Sequence, residues 1–339
     1  MSKQIKPIAR LTIKTVAADA GVSVAAVSKV MRNAYGVSDA LRKKVLESIE
    51  RLGYRPSVAA RGMRGQTFTI GMLLVEIANP FLPQVIDGVN EILADANYQT
   101  LLGVGQSNSR LESSLLESMM AQKMDGLILV APQLHGGQLA KFARQVPMVV
   151  IGHHEPTATT FDTVNSDDQE GAAIAVRALL DRGITDIAML GVELDDPMGT
   201  NVETQREIGF RNAMKKAGLG NKAKTMHLPW EAKLRPAAIQ KYLQQRGRPG
   251  ALFCWSDLDA VHVIDTANRM KLRIPEDLAV IGYDNSSVAE LAAVNLSSID
   301  QSGKRLGTLA GERLLSRIAG RSVASHVLVE PFLAIRGSH

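Results

Sequence analysis

Seven side chains, Phe81, His153, Arg206, Trp230, Asp257, Asp284 and Gln301, stand just after short apolar runs or at a late return of the chain. In an open parallel sheet such positions gather at the carboxyl edge, where ligands bind. Their types suit recognition more than bond-making. A guanidinium and carboxylates can bond pairs of hydroxyls while aromatic rings cover C–H faces, which fits a polyhydroxylated ligand. Plainer readings compete: Asp257 as a helix N-cap, Trp230 as core, His153 and His154 as loop residues, Arg206 as a charge at a helix start.

Reaction chemistry finds little support. There is no Gly-x-Ser-x-Gly elbow and no Gly-x4-Gly-Lys-Ser/Thr phosphate loop, and Gly103-x-Gly105 lacks the third glycine of a dinucleotide site. His153, His154, Glu155 and Asp162 match no metal spacing. No enzyme activity, cofactor or metal is expected. The single cysteine, Cys254, allows no disulfide within the chain. With no leader-like apolar start and no run long enough for a membrane span, the protein is expected to be cytoplasmic.

Charge separates a head from a body. The first 65 residues hold thirteen Lys and Arg against four Asp and Glu, a surplus of nine in a chain of net charge +5, so the remainder carries −4. A basic head of this kind suits a polyanion, because neutralised phosphates release counterions. Three short helices fit it. Thr12 can cap one with Ile13, Val16, Ala17 and Ala20 on a single stripe, and Gly21 turns the chain. Ser23 caps a second helix with Val27 and Val30 inward. Ser38 caps a third with Leu41, Val45, Leu46, Ile49 and Leu52 as its core face, stopped by Gly53. The first two form a helix-turn-helix.

The run from Thr12 through Gly21-Val22-Ser23 to Val27-Ser28-Lys29-Val30-Met31-Arg32-Asn33, followed by Leu52-Gly53-Tyr54-Arg55-Pro56, resembles the lactose-repressor (LacI) family of bacterial transcription regulators. The likeness extends through the body. It implies that the helix opening at Ser23 enters the DNA major groove, with Val24 and Ala25 leading and Ser28 and Lys29 one turn on. Polar residues are usual at the two leading positions, so base readout here should be apolar there, with Lys29 free to reach guanine. Thr12, Thr15, Asn33 and Tyr54 are then phosphate contacts. After Pro56, the segment capped by Ser57 corresponds to the family's hinge helix, which sits in the minor groove; Ala60 and Met63 fall there, Met63 where leucine is usual. Gly62 softens that helix by about 1 kcal/mol relative to alanine.

From Thr69 onward apolar strands alternate with helices, pause near Asn165 and resume, a pattern of two parallel sheets covered on both faces. The expected fold is an all-α helix-turn-helix head plus an α/β periplasmic-binding-protein-like body of two Rossmann-like subdomains. The expected organisation is residues 1–56 for the head, 57–66 for the hinge and 67–339 for the body. Within the body, 67–166 with 301–329 form one subdomain and 167–300 with 330–339 the other. The resemblance assigns effector contacts to Arg206 and Asp284, with Trp230 stacking and Phe81, Asp257 and Gln301 beside them. It implies a homodimeric repressor of double-stranded operator DNA under the control of a small effector, a sugar or sugar derivative. Arg206 with His153 and His154 leaves room for a sugar acid. A transport solute-binding protein and an enzyme on the same sheets are the alternatives, and neither accounts for the basic head. No role is expected for the tag-like Gly337, Ser338 and His339.

Overall fold

The computed structural model describes residues 11–31, 34–54, 66–192 and 198–339. The chain forms two compact units, Met1–Thr67 and Phe68–His339.

The head contains α1 (Ile13–Asp19), α2 (Val24–Met31) and α3 (Asp39–Leu52). Each start is capped from the sequence. The Thr12 N–H donates to the Thr15 hydroxyl at 3.2 Å, Ala26 N–H to Ser23 Oγ at 3.1 Å and Leu41 N–H to Ser38 Oγ at 3.4 Å. Gly21 and Gly53 take the left-handed turns at φ 58° and 61° that a side chain would oppose. Val16, Ala17, Ala20, Val27, Val30, Val45 and Tyr54 make the core. Leu46 does not belong to it and is 50% exposed. At 100° per residue Leu41, Val45, Ser48 and Leu52 share one stripe, and Leu46 falls well outside it. Ser48 takes the inner place because its hydroxyl donates to Asp19, which also holds Arg51 and so ties α1 to α3.

The body has two six-stranded sheets. The first has the order β11-β5-β4-β3-β1-β2, from β1 (Thr69–Leu74), β2 (Gln99–Val104), β3 (Gly126–Val130), β4 (Met148–Ile151), β5 (Asp162–Ser166) and β11 (His326–Val329), all parallel. α4 (Leu82–Asp95) and α11 (Gly303–Ile318) cover one face, α5 (Ser109–Ala121) and α6 (Gly136–Ala143) the other. The second has the order β12-β10-β9-β8-β6-β7, from β6 (Ile187–Val192), β7 (Lys224–Leu228), β8 (Ala251–Cys254), β9 (Ala279–Tyr283), β10 (Ser297–Asp300) and β12 (Phe332–Ala334). Only β12 runs antiparallel, against β10. α7 (Asp168–Asp181) and α8 (Val202–Lys216) cover one face, α9 (Arg235–Leu243) and α10 (Asp257–Arg269) the other. The first sheet with its helices makes lobe 1 and the second makes lobe 2, and the chain passes between them three times, from β5 to α7, from β10 to α11 and from β11 to β12.

Sequence periodicity gave no sign of β5, β10, β11 or β12. β5 and β10 are buried yet polar, and side-chain bonding supplies what an apolar run would. Asp162 accepts from Arg317 and Arg321, and the Asn165 carboxamide oxygen accepts from the N–H groups of Gly152 and His153 at 2.8 and 3.0 Å. In lobe 1, α4 and α11 touch backbone to backbone: a Cβ on Gly88 would lie 2.0 Å from Lys304 O, and one on Gly307 2.1 Å from Val85 O. The last residues, for which no role was expected, are built into lobe 2. Val280 N–H donates to Ser338 O at 2.7 Å, Ser297 N–H to Ser338 Oγ at 2.8 Å, and His339 Nδ1 lies 2.7 Å from Ser297 Oγ.

Candidate functional site

On the head, burial of Val27 and Val30 turns the opposite side of α2 outward. Ser23, Val24, Ala25 and Lys29 are exposed there, with Ser28 half-buried. Thr12 is exposed and Thr15 half-buried, their hydroxyls 3.3 Å apart. Tyr54, expected at phosphate, is only 8% exposed. Its N–H bonds Ile49 O at 3.0 Å as the chain folds back over the end of α3, so the ring closes the core. Asn33, Ala60 and Met63 lie outside the described residues.

Between the body's lobes lies a cavity of about 590 Å³. The carboxyl ends of β1, β3 and β4 reach it from lobe 1 through Asn79, Phe81, Ala131 and Gly152. Arg206, Trp230, Arg235, Trp255 and Asp284 reach it from lobe 2, and Ser166, Asp168 and Gln301 from the crossings. Of the seven residues expected to contact the ligand, Phe81, Arg206, Trp230, Asp284 and Gln301 therefore share its wall.

Arg206 is held by four groups. Its Nε donates to Asp168 Oδ1 at 2.8 Å and Nη1 to the Trp255 carbonyl at 2.5 Å. Asp284 Oδ1 is 3.7 Å away, and the guanidinium carbon lies 3.7 Å from the Tyr283 ring centre. Burial opposes the charge of Asp168, but Arg206 and His154, whose Nε2 is 2.8 Å from Asp168 Oδ2, hold its carboxyl below the usual range. Asp284 is the opposite case: burial pushes it up to about 8 despite Arg206. Its backbone sits at φ 109°, a conformation costly for any side chain and characteristic of functional sites. Gln301 Nε2 fixes its Oδ1 at 2.6 Å, and Asn79 of lobe 1 reaches Oδ2 at 3.4 Å.

His153 and Asp257 stand elsewhere. Gly152, at φ 73°, breaks the strand alternation after β4, so His153 turns inward to Glu155 at 3.0 Å and Phe161, and His154 faces Asp168 instead. Asp257 is inside α10, whose N-cap is Ser256. Its carboxylate accepts from Ser286 N and Oγ at 2.7 and 2.8 Å and from Ser298 Oγ at 2.5 Å. It holds the loop behind Asp284 without lining the cavity. Asp168, Trp255 and Arg235 were not anticipated. Asp168 follows β5 by the rule that found Arg206, but a strand reading Asp-Thr-Val-Asn-Ser gives no apolar signal. Trp255 continues an apolar run and reads as core. Arg235 reads as a charge opening a helix.

A more open depression of about 720 Å³ is lined mostly by α7 and α8 of lobe 2, with His154 and Leu328 of lobe 1. It has no aromatic wall, and its Arg177 is paired with Glu170 at 2.7 Å. Among the described residues no cluster suits a metal ion, and no helix is long and apolar enough to cross a membrane.

Comparison with known proteins agrees with both halves of this description. Residues 12–57 match the model of bacterial regulatory proteins, lacI family, and residues 176–339 that of a periplasmic binding protein-like domain. The HTH-type transcriptional repressor PurR of Photobacterium profundum is 32% identical over 337 residues, 96% of this chain and 98% of the relative. The chain belongs to the LacI family. This regulator also superposes on the transcriptional regulator CelR–cellobiose complex with TM-score 0.70 at 27% identity, over 97% of this chain and 100% of that one. The lac repressor dimer bound to operator and the anti-inducer ONPF, 23% identical, shares the fold with TM-score 0.82 over 97% and 98% of the two chains. The family consists of DNA-binding transcription regulators, not enzymes, and this chain's curated relatives include transcriptional repressors.

Proposed function

We propose that this regulator is a cytoplasmic, homodimeric repressor whose hold on a near-palindromic operator is set by a sugar or sugar derivative between the lobes. One observation carries the reading. The Arg206–Asp168–Asp284 cluster, rigid and buried, opens onto a cavity whose opposite wall, Asn79 and Phe81, belongs to the other lobe. A ligand touching both walls changes the relative stability of lobe arrangements by its differential affinity for them. Residues 57–66 act as the hinge that passes the change to the head. The two indoles and the hydrogen-bonding set suit a polyol with apolar faces, and the cellobiose complex of CelR supports the same class. A sugar acid has less support, because His153 turns away and Arg206 is already bonded to a carboxylate.

The test is a mobility-shift screen of the regulator on promoter fragments, with and without neutral sugars, sugar acids and nucleobases. A neutral sugar should change operator affinity, and Arg206→Ala should abolish that response while operator binding persists. A response confined to nucleobases, or one unchanged in Arg206→Ala, defeats the reading.

A further inference from the structure

The second arginine of the cavity has a partner arrangement that stability alone does not explain. Arg235 donates from Nη1 to Asp259 Oδ2 at 3.0 Å, from Nε to Pro229 O at 3.1 Å and from Nη2 to Trp230 O at 3.0 Å. Its guanidinium carbon lies 6.0 Å from the Trp230 ring centre and 5.6 Å from that of Trp255. The Trp255 indole N–H donates to the same Asp259 oxygen at 2.6 Å. Asp259 is 1% exposed, and its other oxygen, Oδ1, is buried with no partner. Burying such a pair costs desolvation that an apolar pair would avoid. What the arrangement delivers is a planar cation beside two indoles, with its charge cancelled from behind.

The same cancellation recurs across the cavity. Arg206 is matched by Asp168. Helix N-termini, which otherwise attract anions, carry their own acids in the first turn at the cavity: Asp168 in α7, Glu203 in α8 and Asp259 in α10. Glu76 of lobe 1 also lines the cavity; burial pushes its carboxyl up, and Arg235 opposes the rise. Among the described lining residues both arginines are answered by buried carboxylates, and Glu76 and Glu231 also line the cavity.

We propose that the cavity selects uncharged effectors against anionic ones, and that Asp259 sets this selectivity by holding and neutralising Arg235 while it aligns Trp230 and Trp255. The inference rests on the reading of the cavity as the effector site. Asp259 is a positioning residue: it reaches the effector through Arg235 and the indoles.

The chain's only two tryptophans are these two wall residues, so its intrinsic fluorescence reports on the cavity. The experiment is quenching of the full-length protein by iodide, caesium and acrylamide at constant ionic strength. The iodide-to-acrylamide ratio corrects for plain exposure. In the parent chain that ratio should fall below the value for free N-acetyltryptophanamide, with caesium favoured. Asp259→Asn should raise it roughly twofold or more, as an uncovered cation concentrates anions. Asp259→Asn combined with Arg235→Gln should return it to the parent value. Arg235→Gln alone should shift the balance the other way, toward caesium, and decides the matter if Asp259→Asn does not fold. A parent ratio equal to that of the free indole, or variants that leave the ratio unmoved, overturns the proposal. A regulator that answers no sugar would defeat the functional reading while leaving this quenching pattern intact.

Discussion

Asp284 shows what a buried carboxyl does to a binding site. Burial raises its pKa to about 8 and so favours the protonated form, against the opposing charge of Arg206. The unfolded chain releases that proton near pH 4, whereas the folded chain keeps it up to about pH 8. The folded body therefore binds more protons across that interval and loses stability as pH rises through it. Asp257, pushed up to about 6, adds to the loss in the lower part. Asp284→Asn, which mimics the protonated form, should flatten the decline of the body's melting temperature between about pH 6 and 8; calorimetry over that range decides, and an unchanged slope would refute the assignment. On the head, Lys29→Ala should weaken operator binding roughly tenfold while the thermal transitions stay put, as a titration of labelled promoter DNA would show. Equal affinity would remove Lys29 from the groove. At this scale the sequence was partly legible. Arg206, Asp284, Trp230, Phe81 and Gln301 follow from strand ends and resemblance. His153 was misplaced by one glycine, and Asp168 was hidden behind a polar strand.

Elements were legible where burial is apolar and periodic. The helices and the central strands β1, β3, β4, β6, β8 and β9 declare themselves in this way. β5 and β10 do not, because their buried positions are filled by Asp, Thr, Asn and Ser that bond to partners distant in the chain but within the same lobe, such as Arg317, Arg321 and His326 for β5 and Asp257 and Ser338 for β10, and no periodicity records such partners. α3 shows a finer failure: Val45 and Leu46 look equivalent in sequence, yet helix geometry sends one to the core and the other to solvent. Val45→Ala should lower head stability by about 2 kcal/mol, and Leu46→Ala should change it by less than about 0.5 kcal/mol. Thermal melts of the full chain, read at the head's transition, check the contrast; equal losses would show that the stripe is drawn wrongly.

Taken whole, the body is two stiff plates joined at three crossings. On the proposed function, coupling between cavity and operator would be reciprocal: the factor by which effector changes operator affinity would equal that by which operator changes effector affinity. Fluorescence titration with and without operator DNA tests this, and unequal factors would mean that more than these two sites take part. The tail belongs to lobe 2, since Ser338 bonds the N–H and carbonyl of Val280 and the N–H of Ser297. Removing Gly337 to His339 should therefore destabilise the body by about 2 kcal/mol or more, through buried groups left unpaired. An unshifted melt would refute it.

The glycine crossing of α4 and α11 gives lobe 1 the character of a push-rod. Phe81 meets the cavity at one end of α4, whose fourteen residues span about 21 Å. Beyond the other end the chain runs into Gln99, whose N–H grips Phe68 O at 2.9 Å, the residue at which the body begins after the head. At Gly88 and Gly307 main chain meets main chain, so the two helices have little room to slide past each other there. A displacement of the Phe81 ring would therefore be expected to move α4 and α11 as one piece.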